Sequence, residues 1–159
     1  MRWTADRGLK RGLAPAGPAF VPVGFGEDDV ADLLECLIQI KALEHSVGRI
    51  ERLVAAAPAA AGAEIGGLVA RLAAAERTYG RAGLGRADGG ESPLPASALA
   101  AFIAERRANL KVLAACTAAD LGSPVDWPGR PCTTVADLVA IMLAHDTDLI
   151  GEVRRLSRT

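Results

Sequence analysis

The chain has 159 residues, half of them hydrophobic but only 4% aromatic, and 18 basic against 19 acidic side chains give a formal net charge of −1. That is enough apolar chain for one domain whose core is built of Ala, Leu, Val and Ile, and such small side chains favour closely packed helices. The balanced charge leaves no basic footprint for nucleic acid or an anionic membrane, no apolar run reaches the roughly 18 residues of a membrane span, and Cys36, Cys116 and Cys132, without paired spacing, read as free thiols of a reducing cytoplasm.

Residues 1–26 are rich in Gly and Pro and lack periodicity, which predicts an irregular or loosely strapped tail ahead of a helical domain over 27–159. Arg2, Arg7, Lys10 and Arg11 are followed by Pro15 and Pro18 rather than by an apolar stretch, so a secretory signal is not expected. A first helix is predicted over 28–54, with Val30, Leu33, Leu37, Ile40, Val47, Ile50 and Val54 as its seam. A second is predicted over 63–79, with Ile65, Leu68, Leu72, Ala75 and Tyr79 inward and Gly80 as its stop. Gly80, Gly83, Gly85, Gly89, Gly90, Pro93 and Pro95 mark a loop over 80–95. Its glycines neither follow a strand nor carry a Lys-Ser/Thr pair, so it is no phosphate cradle.

A third helix is predicted over 96–121, its apolar content from Leu99, Phe102, Ile103, Leu110, Val112 and Leu113, interrupted by Arg106. A crossover holding Pro124, Trp127, Pro128, Gly129 and Pro131 follows. The fourth helix starts at Thr133 or Thr134, either a good N-cap, and runs to about Leu156. No segment alternates with period two, and no internal repeat suggests a solenoid. The fold class is therefore all-α, an up-down four-helix bundle with a long crossover.

Few residues carry chemistry. His45 stands between Lys41 and Arg49 on the first helix and reads as a surface residue. His145 falls at three- and four-residue spacing within Val135, Leu138, Met142, Leu149, Val153 and Leu156, which predicts an inward imidazole: a hydrogen-bonded core group or part of a site. His145-Asp146 lacks the further His and Asp ligands that a His-Asp phosphohydrolase needs, and no nucleophilic triad stands out. Cys36 and Cys116 lie among apolar neighbours where thiols are inert; Cys132, beside a helix start, reads as a loop thiol. Arg71, Glu76 and Arg106 edge or interrupt apolar stripes, where charges pair because an unpaired buried charge costs several kcal/mol. A Glu76–Arg106 bridge between the second and third helices is expected; the same groups could also hold a polar ligand.

The segment LVARLAAAERTY (68–79), the Phe102…Arg106…Leu110…Leu113 spacing and the run from Trp127 to Asp146 ending in TVADLVAIMLAHD resemble the DinB-like, YfiT-type bundles, relatives of mycothiol-dependent maleylpyruvate isomerase and of bacillithiol transferases. The resemblance covers about residues 28–156. It implies a divalent metal held by three histidines: one on the second helix five residues before a Glu, and two on the fourth helix four apart, the first preceding an Asp. Here those positions hold Arg71 (before Glu76), His145 (before Asp146) and Leu149. A guanidinium cannot coordinate, and a catalytic zinc or nickel site needs about three protein ligands. Asp148 and Glu152, three and seven residues beyond His145, are the conceivable substitutes.

The expectation is thus a cytoplasmic, homodimeric bundle with a degenerate metal site and no metal cofactor, acting as a small-molecule-binding or accessory protein. Its expected pocket lies at the bundle centre, with Arg71, Glu76, Arg106, His145 and Asp148 as candidates for a small anionic or polar ligand. The rival is a metal-dependent mycothiol or bacillithiol S-transferase or isomerase with a remodelled site. A filled bundle centre would instead suit a purely structural interaction protein.

Overall fold

The computed structural model describes residues 27–86, 97–127 and 130–158. The N-terminal tail, most of the Gly/Pro loop over 80–95 and the side chain of Cys132 lie outside the described residues. Four long helices carry the fold: α1 (Glu27–Ala55), α2 (Gly62–Thr78), α3 (Ala98–Leu113) and α5 (Val135–Leu156). Each packs on two others, α2 on α3 and α5, and α1 on α5 and α3, which closes the bundle. No single helix among the described residues is long and apolar enough to cross a membrane.

Local chemistry explains several boundaries. Ser97 caps α3 by accepting from Ala100 N at 3.1 Å. Thr134, not Thr133, caps α5: its hydroxyl accepts from Asp137 N at 3.2 Å, and Asp137 accepts from Thr134 N at 2.9 Å. That reciprocal box satisfies two amides that the helix itself cannot.

The third helix is shorter than expected. It ends at Leu113, and Thr117 with Asp120 builds a second capping box that starts the four-residue α4 (Ala118–Leu121). Side chains that bond nearby amides compete with helix continuation, which periodicity alone does not register. The crossover also pairs into a small antiparallel hairpin, β1 (Pro124–Trp127) with β2 (Arg130–Thr134).

Gly80 does not stop the second helix. The chain widens into a π turn over Tyr79–Gly83, with Gly80 and Gly83 buried inside it. A Cβ on Gly80 would sit 2.5 Å from Asn109 Oδ1 and 2.9 Å from Arg86 Cζ, so this glycine serves close approach to α3. On α1, the seam runs through Cys36, Ile40, Leu43, Val47 and Ile50. Leu37, expected inward, is 48% exposed.

The apolar interior forms two clusters. One gathers Ile40 and Leu43 of α1, Tyr79, Leu113 of α3 and Val135, Leu138 and Met142 of α5. The other gathers Ile50, then Ile65, Val69 and Leu72 of α2, Phe102 of α3 and Leu149, Ile150 and Val153 of α5. On every long helix one polar residue stands between its contributions to the two: Ser46 on α1, Glu76 on α2, Arg106 (with Asn109) on α3 and Asp146 on α5. A polar layer therefore crosses the middle of the bundle.

Candidate functional site

Arg106 is the hub of that layer and is 0% exposed. Its Nη1 and Nη2 donate to the two carboxylate oxygens of Asp146, each at 2.7 Å, the fork geometry that suits guanidinium and carboxylate. Nη2 also donates to Glu76 Oε1 at 2.7 Å, which is the bridge expected between the second and third helices. Asn109 Nδ2 donates to Glu76 Oε2 at 2.9 Å and to the Glu76 carbonyl at 2.8 Å. Ser46 Oγ meets Asp146 Oδ2 and accepts from Arg106 Nη1 at 3.3 Å.

Burial disfavours the charge of Arg106, but the hydrogen bonds it donates to Asp146 and then to Glu76 outweigh it and hold the guanidinium above its ordinary value. Arg106 Nε is the one buried side-chain polar atom without a hydrogen-bond partner among the described residues. The guanidinium carbon stands 5.2 Å from the Phe102 ring centroid, a cation–π contact that partly compensates. The layer reaches the surface through Arg86, whose Nη1 donates to Asn109 Oδ1 at 2.8 Å while Nη2 pairs with Glu105. Arg77 Nε donates to the same carboxylate at 3.0 Å.

This layer overturns part of the sequence reading. The bundle centre is filled by closed side-chain pairing, not hollow. Glu76 and Arg106 sit inside it and do not line a cavity with Arg71, His145 and Asp148. His145 itself is exposed, as is Arg71. Each residue turns a helix by about 100°, so relative to Met142, Asp146 stands about 40° round on one side and His145 about 60° on the other. Val139 and Ile150 are buried on the Asp146 side and pull the inward face that way. The inward polar residue of α5 is therefore Asp146 and not, as the three- and four-residue spacing predicts, His145.

His145, Arg71 and Asp148 do share a place, but at the surface. An open groove of about 730 Å³ runs between α2 and α5. Leu68, Leu72, Ala75 and Leu149 give it an apolar floor, and Arg71, His145, Asp148 and Glu152 are its titratable groups. The Tyr79 hydroxyl meets His145 Nδ1, and the two rings lie 5.8 Å apart at 36°. Tyr79 is 1% exposed and fixed in the π turn, so it orients the imidazole from below through Nδ1. No described residue pairs with Arg71 or Asp148. Glu152 is engaged by Arg155, 2.6 Å away.

The positions at which the resemblance puts a metal, Arg71, His145 and Leu149, all line this groove. Their chemistry does not fit an ion: one imidazole, one fixed cation and one hydrocarbon. Among the described residues no group of three or more His, Cys, Asp and Glu side chains could hold one.

Other features offer less. A cavity of about 630 Å³ between α1, α4 and α5 has Asp32, Glu35 and Asp137 on its wall, and Asp137 is already used by the Thr134 cap. Burial pushes the Cys36 thiol up, and proximity to Cys116 adds to it; burial likewise raises Cys116, with Asp120 adding. Raised thiols are poor nucleophiles at neutral pH. His45 is exposed, as its flanking charges imply.

No curated protein and no solved structure matches the chain. A family model described as the DinB superfamily matches residues 51–151. That span takes in α2, α3 and most of α5, with the Glu76–Arg106–Asp146 layer and the groove between Arg71 and His145. With a helical bundle of this order and a match across more than half of its length, the chain belongs to the DinB superfamily.

Proposed function

We propose that this protein is a metal-independent small-molecule-binding or accessory member of its superfamily, of the YfiT-like kind, with a degenerate metal site. The α2–α5 groove is its binding site, and its ligand is a small anionic or polar molecule. One observation carries the reading: Arg71, unpaired among the described residues, lines the same groove as His145. A guanidinium over an apolar floor, next to an imidazole oriented by Tyr79, suits a carboxylate or phosphate oxygen better than a cation. The free thiols Cys36 and Cys116 support a reducing, cytoplasmic setting.

Two measurements test this. The first is NMR of the His145 imidazole during titration with small mono- and dicarboxylates. Saturable shifts are expected, and Arg71→Leu should weaken them at least tenfold. Arg71 is exposed, so that variant keeps the fold. Absence of saturable shifts, or equal affinity in Arg71→Leu, would overturn the reading.

The second is elemental analysis of protein purified without a His-tag, which should give zinc and nickel well below one equivalent. One equivalent, lost on His145→Ala, would instead favour the metal-dependent thiol transferase or isomerase. Asp148 and Glu152 beside His145 would then be the substitute ligands.

A further inference from the structure

The three largest apolar side chains left in solvent among the described residues lie together on one face of α1. Leu34 is 58% exposed, Leu37 48% and Ile38 61%. On the opposite face Cys36, Ile40 and Leu43 enter the core. This part of α1 is apolar on two opposite faces, with Asp32, Glu35 and Gln39 between them on one side, and an apolar face is normally buried against a partner.

The chain itself supplies a matching cover. Residues 12–26, which lead directly into α1, contain no charged side chain, and they hold Leu13, Val21, Val23 and two of the chain's three phenylalanines, Phe20 and Phe25. We propose that the outer apolar face of α1, formed by Leu34, Leu37 and Ile38, is the docking site of the chain's own residues 12–26.

Reach, chemistry and area all favour this occupant. Ile38 lies about 16 Å along the helix from Glu27 at about 1.5 Å per residue. Fifteen residues at about 3.1 Å each span about 45 Å, ample to turn back and cover the face. A charge-free segment can lie on leucine and isoleucine without stripping water from an ion. Pro15, Pro18 and Pro22 restrict the free segment, which lowers the entropy lost on docking. A second copy of the chain fits less well. Three half-exposed side chains amount to a few hundred Å², an ordinary surface patch, against about 800 Å² per partner in a stable interface.

The test is isotope-filtered NMR on the full chain, reading contacts between the Phe20 and Phe25 rings and the methyl groups of Leu34, Leu37 and Ile38. Ring-to-methyl cross-peaks are expected within one chain, and ring-current shifts on those methyls should vanish in the Phe20→Ser/Phe25→Ser variant. Both phenylalanines precede the bundle, so α5 resonances and the mass by light scattering should stay as in the wild type. Absence of the cross-peaks in the wild-type chain would overturn the proposal. So would cross-peaks that appear only between differently labelled chains, or a mass that halves on Leu37→Glu/Ile38→Glu, because a second copy would then hold the face.

Discussion

Arg106→Met removes the hub of the polar layer while keeping an unbranched apolar stem of similar length. Among the described residues Arg106 is the cation that touches both Glu76 and Asp146, whose side chains are 0% and 1% exposed. Without it, two buried carboxylates face each other with only Asn109 and Ser46 as donors. Breaking a buried pair from one side costs about 3–5 kcal/mol, a large part of the roughly 5–15 kcal/mol that holds a domain together. Glu76→Gln should be milder. Arg106 keeps its fork on Asp146, and the new side chain can still offer an oxygen to Nη2. Its amide nitrogen, however, would face Asn109 Nδ2, donor against donor. Asn109 cannot turn its own amide without losing the 2.8 Å bond from Arg86. The expected loss is one hydrogen bond to a charged group, about 1.5–3 kcal/mol. Replacing the whole layer by Glu76→Leu/Arg106→Met/Asp146→Leu should recover most of the Arg106→Met loss, because no buried charge remains. Urea unfolding at pH 7 gives all three values from midpoint and slope. A loss under about 1 kcal/mol for Arg106→Met, the range of an exposed pair, would refute the view that the layer is closed and dry. A triple variant no more stable than Arg106→Met would refute the charge argument.

The sequence made the bundle legible because its signals were periodic and redundant. The α5 stripe from Val135 to Leu156, a cap at Thr133 or Thr134 and the Glu76–Arg106 bridge follow from spacing and from the cost of an unpaired buried charge. The misses share a cause: each turned on one residue's placement against a neighbouring helix. His145 and Asp146 are adjacent and differ by one step of rotation; only the buried flank of Val139 and Ile150 shows which of them faces inward. That flank was readable in principle, since both residues are apolar. Gly80 looked like a helix stop because glycine usually is one, whereas its role here is set by Asn109, 29 positions further along. The break after Leu113 depends on Thr117 and Asp120, whose spacing is a capping signal hidden inside an otherwise helical run. The hairpin pairs strands of four and five residues, too short for a visible alternation.

Three further outcomes are expected. Thr134→Ala should cost about 1 kcal/mol by removing the α5 cap, and an unchanged urea midpoint would count against the cap. Gly80→Ala should destabilise by about 1–3 kcal/mol, because its Cβ would collide with the Asn109–Arg86 contact; Gly48→Ala, with nothing within 4 Å, should stabilise by about 0.5–1 kcal/mol, and similar midpoints for the two would refute close approach at Gly80. The last concerns acid. Burial disfavours the charge of Glu105, but hydrogen bonds from Arg86 and then Arg77 outweigh it and hold the carboxyl below the usual carboxylate range. A carboxylate depressed in the folded state adds stability that is complete above its unfolded value, about pH 4.3, and is lost as the pH falls through the folded value. The side chain is 19% exposed, so water screens the pairing only in part. Glu105→Gln should therefore lower the urea midpoint at pH 7, and its difference from the wild type should shrink below about pH 4 as the native carboxyl takes up a proton. A difference that stays constant from neutral to strongly acidic pH would show that Glu105 acts through packing alone and that Arg86 reaches Asn109 without its help.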